Sequence, residues 1–286
     1  MKHLLTATAL SALLAFSTPV LAETPKDQLI VGFTMTNVLS MDPAAITGGE
    51  AVQILNNIYD ALVDLDPLTG ALKPRLATSW TVSDDNMSVT FKLREGATFA
   101  SGNPVTANDI KYSFDRLMTL GQAQSSNLSS RGFTAEGIDE EFVVIDDQTF
   151  QLNLPQPDDP KLILMYLSQA GVGSILDSKL VQENAGDDMG QQYLTNNSAG
   201  SAAFTLGQWR ANEYVILSRN DAFWGDAPAM KRVLMRHLPE SQSQRLGLAQ
   251  GDIDIGFSLA APDLHALEDA EGITVETVPS AGFYYL

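Results

Sequence analysis

Cysteine is absent from all 286 residues. That removes disulfides, thiolate nucleophiles, Cys-ligated metals and a lipid-modified cysteine together. Histidine is nearly as scarce, with three residues. His3 falls in the leader described below, and His237 and His265 are far apart without a ligand at i+4, so both read as structural. No metal and no cofactor is therefore expected. Basic residues are few as well: 17 Lys and Arg face 35 Asp and Glu, a formal charge of −18. Such a surface repels nucleic acid and anionic membranes, which argues against either as a partner. No G-x-S-x-G elbow, P-loop or G-x-G-x-x-G occurs.

What is present begins with "MKHLLTATALSALLAFSTPVLAE". Lys2, an apolar run from Leu4 to Phe16, a break at Pro19 and the small-residue ending Val20-Leu21-Ala22 predict a secretory leader over residues 1–22, cleaved after Ala22. The apolar middle is short for a membrane span, and no later run is long and apolar enough for one. Losing Lys2 would leave 16 basic residues (17 less one) against 35 acidic, a charge of −19. An exported chain with neither disulfide nor lipid must hold together by its core, which suits a bacterial periplasm. Residues 23–286 suffice for about two domains.

Along the chain, "QLIVGF" (28–33) predicts a buried strand, and "SMDPAAITGGE" a loop. Val52, Leu55, Ile58, Tyr59 and Leu62 recur at helical spacing and predict one helix through all of them. "DLDPLTGALKPRLATSW" has the composition of an irregular crossing segment. "TVSDDNMSVTFKLREG" predicts a hairpin with Val89, Phe91 and Leu93 on one face. Thr106 and Asp109 then approximate a capping box for a helix burying Ile110, Phe114, Leu117 and Met118. "GQAQSSNLSSRGFTAEG" predicts an exposed loop, and "EFVVIDDQTFQLNLPQP" a second hairpin. Two helices follow, in "PKLILMYLSQA" and "DSKLVQENAGDDMG". After them come strands in "FTLGQW", "YVILSR" and "KRVLMRHL", a helix ended by Gly251, and strands in "IDIGF" and "GITVETVPSAGFYYL". The aromatic ending at Leu286 predicts that the chain is cut within a larger fold, because an unpaired strand edge invites association, with a final paired strand as the alternative.

Chemistry-bearing candidates are thin. Asp252 and Asp254 in "GDIDIG" and the carboxylates of "DLD" (64–66) meet neither a calcium-loop spacing nor any other motif, so solvated turns are expected. An exported hydrolase using two carboxylates needs no local motif and stays open as an alternative, as does a binding module with another partner.

The stretch "LATSWTVSDDNMSVTFKLREGATFASGNPVTANDIKYSFDRL" resembles the signature of the extracellular solute-binding proteins of family 5, the dipeptide- and oligopeptide-binding proteins of ABC importers. A Trp, a turn, "FxLRxG", "xxGxPVTAxDV" and "YSxxR" come in that order. "LSMDPA" resembles the family's N-terminal loop, and "NDAFWGDAPAMKRVLMRHLPESQSQRLGLAQGDIDIG" a later family segment.

The resemblance implies an α/β, periplasmic binding protein-like fold of the class II type. Residues 23–60 and 196–286 would form a discontinuous lobe, residues 61–195 an inserted smaller α+β domain, and the family's third domain would be absent. It implies no enzymatic activity. The expected function is binding a peptide or peptide-like solute in the periplasm, as a monomer, and delivering it to the permease of an ABC importer. Thr47, Gly48 and Gly49 correspond to the segment lying along the ligand backbone, where glycine permits close approach, and Ser126 to another wall of the cleft. The carboxylate that pairs with a peptide's amino terminus belongs to the part beyond Leu286, so without that part the chain is expected to bind peptide weakly or not at all. Ser201 and Ala202 replace the Gly and Pro of a family turn.

Overall fold

The computed structural model describes residues 25–66 and 68–277. The predicted leader, with its cleavage after Ala22, and the end of the last predicted strand, 278–286, lie outside the described residues. In chain order the elements are β1 (Gln28–Phe33), α1 (Gly49–Ile58), β2 (Val63–Leu65), β3 (Leu72–Pro74), β4 (Ala77–Val82), β5 (Ser88–Leu93) and α2 (Ala107–Leu120). Then come α3 (Ser126–Ser129), α4 (Ile138–Glu141), β6 (Phe142–Asp146), β7 (Thr149–Asn153), α5 (Pro160–Leu167), α6 (Ser178–Asn184) and α7 (Gln191–Asn196). The chain continues with β8 (Phe204–Arg210), β9 (Tyr214–Arg219), β10 (Arg232–His237), α8 (Ser241–Gln250), β11 (Ile255–Gly256) and α9 (Ala261–His265).

Two sheets organise these elements. The first runs β11-β1-β10-β9-β8, with β1 parallel to both of its neighbours and Gln28 opposite Arg232. A strand near the start thus pairs with one some two hundred residues on, and the chain leaves this sheet after β1 and returns to it at β8. The second sheet, β4-β5-β7-β6, is antiparallel throughout, and the two predicted hairpins join through β5 and β7. Helix α2 covers it with Ile110, Phe114 and Leu117. Phe114 stacks on Phe142 at 4.9 Å between centroids, and Phe91, Phe133 and Phe150 complete the cluster. Truncating any of these rings to Ala costs about 3–5 kcal/mol.

Each sheet has its own hydrophobic cluster. One gathers Ala44 and residues between Leu62 and Ile175 around the four-stranded sheet. The other packs α1, through Ala51, Ile54, Leu55 and Ile58, against β1, β8, β9 and β10, and it also takes in Leu176, Val181 and Leu194.

Several expectations need correction. Helix α1 stops at Ile58, because Tyr59 is already extended (φ −121°, ψ 141°); Leu62 is buried, but in the other cluster. The stop is enforced from outside: Gly200 packs so closely that a Cβ there would sit 1.8 Å from the Ile58 carbonyl oxygen. The crossing segment after Asp64 contains the β2–β3 hairpin, turned at Gly70 in the left-handed region. The loop predicted as exposed holds a 3-10 turn (Ala123–Ser125) and α3, and it buries Leu128 and Phe133. Its Ser and Asn side chains hydrogen-bond nearby carbonyls, shaping a helical turn that apolar periodicity does not reveal. Helix α7, in the polar "QQYLTN", was not foreseen. Strand β11 is two residues long, and residues 273–277 form no strand.

Candidate functional site

Four buried carboxylates tie the two clusters together. Asp42, in the loop after β1, takes Arg116 of α2 in a two-pronged pair, Nη1 to Oδ1 at 2.8 Å and Nη2 to Oδ2 at 2.6 Å, with both side chains 1% exposed. Arg116 Nε donates to the Met189 carbonyl at 2.7 Å, and Asp42 Oδ1 also accepts Ala44 N–H. Asp60 receives Arg75 Nε at 2.6 Å on one oxygen, and Ser201 Oγ and Trp224 Nε1, each at 2.9 Å, on the other. Asp109 caps α2 through Thr106 and bonds Ser178 at the start of α6. Asp177 caps α6 through Leu180 N–H and binds Ser101 and Asn103 in the loop before α2. A buried carboxylate is tolerated only when its lone pairs are filled, and here each is filled by donors from segments distant in sequence. These carboxylates fasten the framework and offer no unpaired acid or base.

Beside this framework lies a cleft of about 780 Å³, within the range of small-molecule sites. One wall is the start and outer face of α1: Thr47, Gly48, Gly49, Val52, Gln53 and Asn56. Facing it are Val63 and Asp64 of β2 with Arg75, and the segment from Ser168 to Ser174. Gln124 also reaches in, and its Nε2 donates to the Ile46 carbonyl at 2.7 Å, holding the loop that leads to Thr47. Gly48 and Gly49 begin the ten-residue α1 with no side-chain cap, leaving first-turn N–H groups free at the cleft. Tyr59 lies at the base, where burial pushes its hydroxyl well above the usual tyrosine range and keeps it protonated.

The structure thus brings Thr47, Gly48 and Gly49 to one cleft. Ser126 is not among the lining residues: it is exposed and its Oγ donates to the Ala123 carbonyl, while the neighbouring Gln124 faces the cleft. Sequence reasoning missed Gln53, Asn56, Asp64, Arg75 and Gln169. For Gln53 and Asn56 the available signal is their place on the exposed face of the predicted helix; the others carry none. His237 Nδ1 accepts Met35 N–H at 2.9 Å, tying the end of β10 to the chain after β1, and His265 is exposed beside Glu268. Asp254 accepts Ile30 N–H at 2.7 Å, a register device at the edge of β1. Among the described residues no group of three His, Asp or Glu is placed to hold a metal ion. Among them, too, no helix is long and apolar enough to cross a membrane.

The pattern of the bacterial extracellular solute-binding proteins, family 5 Middle, matches residues 71–286, and the chain belongs to that family. Members of this family are binding proteins rather than enzymes. The probable D,D-dipeptide-binding periplasmic protein DdpA of Escherichia coli is 34% identical over 284 residues, covering 98% of this chain and 52% of that protein. The periplasmic murein peptide-binding protein MppA of the same organism is 27% identical, over 100% of this chain and 55% of its own length. Among solved structures, a periplasmic binding protein DppA from Helicobacter pylori in complex with the peptide STSA superposes with a TM-score of 0.75 at 25% identity, covering 87% of this chain and 50% of that one. The fold is that of the periplasmic binding proteins. The chain spans about half the length of the relatives it matches.

Proposed function

We propose that this chain supplies one wall of the solute cleft of a periplasmic binding component of an ABC importer, which takes up a peptide or peptide-like solute as a monomer and passes it to the membrane permease. The observation that carries the reading is the cleft itself: in a member of this family, the wall at Gly48 and Gly49 is main chain, flanked by the amides of Gln53, Asn56, Gln124 and Gln169. Backbone N–H groups and amides match the alternating donors and acceptors of a peptide main chain. Side chains that fill few pockets impose little on the ligand's own side chains.

Capture would proceed by closure of a second wall over the bound solute. The ligand favours the closed form only as far as its affinity for that form exceeds its affinity for the open one. The two hydrophobic clusters support a discontinuous lobe with an inserted domain. Because Ala170, Leu176, Val181 and Leu194 belong to the lobe's cluster while Val172 and Ile175 belong to the other, we propose a return crossing over residues 170–176, ahead of the expected residue 196.

With one wall present, affinity should lie in the millimolar range, which saturation-transfer NMR detects. Mixed di- to tetrapeptides should give signals on this chain, and a saccharide pool of equal concentration should give none. Saccharide signals, or release of reducing ends, without peptide signals would overturn the proposal in favour of a carboxylate hydrolase.

A further inference from the structure

Arg75 is the one cation among the residues lining the cleft. Its guanidinium carries five N–H donors in a rigid fork, and the fold uses them unevenly. Nε donates to Asp60 Oδ1, a fully buried carboxylate whose other oxygen is taken by Ser201 and Trp224. That bond fixes the plane of the guanidinium. Among the described residues Nη1 and Nη2 make no hydrogen bond: Nη1 stands 4.0 Å from Asp64 Oδ2, an ion-pair separation beyond hydrogen-bond reach. The Arg75 side chain is 30% exposed.

An arginine needed only to neutralise Asp60 would gain by turning its Nη groups onto nearby carbonyls. Here four N–H donors stay without a hydrogen bond at a cleft, on a guanidinium held by a buried anchor and lying 5.9 Å from the Trp224 ring centroid. We infer that the Nη groups of Arg75 are the receptor for a carboxylate of the ligand, and that Asp64 is the partner this carboxylate displaces. The inference rests on the cleft reading above and narrows it to solutes with a free carboxylate. A carboxylate presents two oxygens in the plane of the Nη pair and gains two charge-assisted hydrogen bonds, whereas an amide offers a single neutral acceptor. Asp64 is 53% exposed, and its Oδ1 is held only by Leu65 N–H, so Oδ2 can turn to water at little cost.

The opposite signs of Arg75 and Asp64 make the test specific. Trp224 Nε1–H shares the Asp60 carboxylate with Arg75, so its indole NMR resonance reports on the site. The chain is titrated with N-acetylalanine and with N-acetylalaninamide. The acid should shift the Trp224 resonance saturably and the amide should not. Asp64→Asn should tighten the acid, because it removes a competing and repelling charge. Arg75→Lys keeps a cation for Asp60 but loses the fork, and should weaken the acid about tenfold or more with an unchanged circular dichroism spectrum. Equal shifts by acid and amide, or weaker acid binding in Asp64→Asn, would overturn the inference.

The two readings fail separately. Peptides that bind without preference for a free carboxylate, and equally well to Arg75→Lys, leave the peptide cleft standing and remove Arg75 as receptor. Acid binding at Arg75 with no peptide signal does the reverse.

Discussion

Removing either member of the Asp42–Arg116 pair should be among the costliest single changes in the molecule. Both side chains are 1% exposed, and Arg116 has three bonds, two to Asp42 and one to the Met189 carbonyl. Arg116→Met leaves a buried carboxylate holding only the Ala44 N–H bond. Asp42→Asn turns an amide N–H toward a guanidinium that has nothing but donors. Breaking a buried pair from one side costs about 3–5 kcal/mol, because the remaining charge is stranded. Against a total stability of about 5–15 kcal/mol, that is about a fifth of the whole or more. Replacing both, as Asp42→Asn with Arg116→Met, strands no charge and should cost about 2 kcal/mol or less, since the desolvation penalty of the pair disappears with its attraction.

Urea titrations followed by tryptophan fluorescence and by circular dichroism measure all four corners of this double-mutant cycle, with the m-value checking that the unfolding unit is unchanged. The pair joins α2, in the cluster of the four-stranded sheet, to the loop after β1, whose Val38, Met41 and Ile46 lie in the other cluster. Each single variant should therefore also separate the two optical transitions. Exchange of the Val52 amide, which bonds the Gly48 carbonyl in the first turn of α1, should quicken, because the cleft loop loses its anchor. Single variants that cost under about 1 kcal/mol, or a double variant whose cost is the sum of the two, would refute the reasoning.

Gly200→Ala should cost about 3 kcal/mol, the upper end of overpacking penalties, because the added Cβ would lie 1.8 Å from the Ile58 oxygen; thermal melting checks it. Gly49→Ala meets open space and should raise stability by up to about 1 kcal/mol through helix propensity. In the same variant peptide signals should weaken, and unchanged signals would take Gly49 off the ligand wall. Glu141 is buried, and desolvation raises its carboxyl above the ordinary glutamate range, with repulsion from Glu140 adding a smaller part and Thr134 N–H opposing. A raised acid is destabilising when ionised, so that cost is present above the folded value and vanishes once pH falls below the unfolded one. Glu141→Gln should therefore be more stable than the parent at neutral pH and equal to it in acid, and an advantage that persisted in acid would point to packing instead.

The elements themselves were largely legible: both hairpins, the capping box at Thr106 and Asp109, and the strands of the first sheet follow from alternation, capping and turn residues. The overrun of α1 shows where such reading fails. Ile58, Tyr59 and Leu62 fit one helical stripe because all three are buried, yet Ile58 and Tyr59 serve one cluster and Leu62 the other. Periodicity registers burial and is blind to which core does the burying, so it runs through a junction between two. The site was hidden for a related reason. Arg75, Ser201 and Trp224 meet at Asp60 from 15, 141 and 164 residues away, and no local spacing encodes that meeting.

What local reading did supply was the two halves of a long-range bond without the bond. The "MDP" loop and the "YSFDR" helix were singled out separately as marks of the family, and their charged residues, Asp42 and Arg116, prove to be each other's partner across 74 residues. The charged groups of the two motifs are spent on each other, and that bond seats α2 against the loop that leads to the cleft wall. Ser113 of the same helix points to the same task, accepting Leu176 N–H and donating to the Asp109 carbonyl at the junction between the clusters. A motif of this kind fixes where the wall stands and says little about what rests on it. The residues that discriminate among ligands should therefore lie outside the motifs, at positions such as Arg75 and Asp64, where charge faces the cleft and the fold leaves donors unspent.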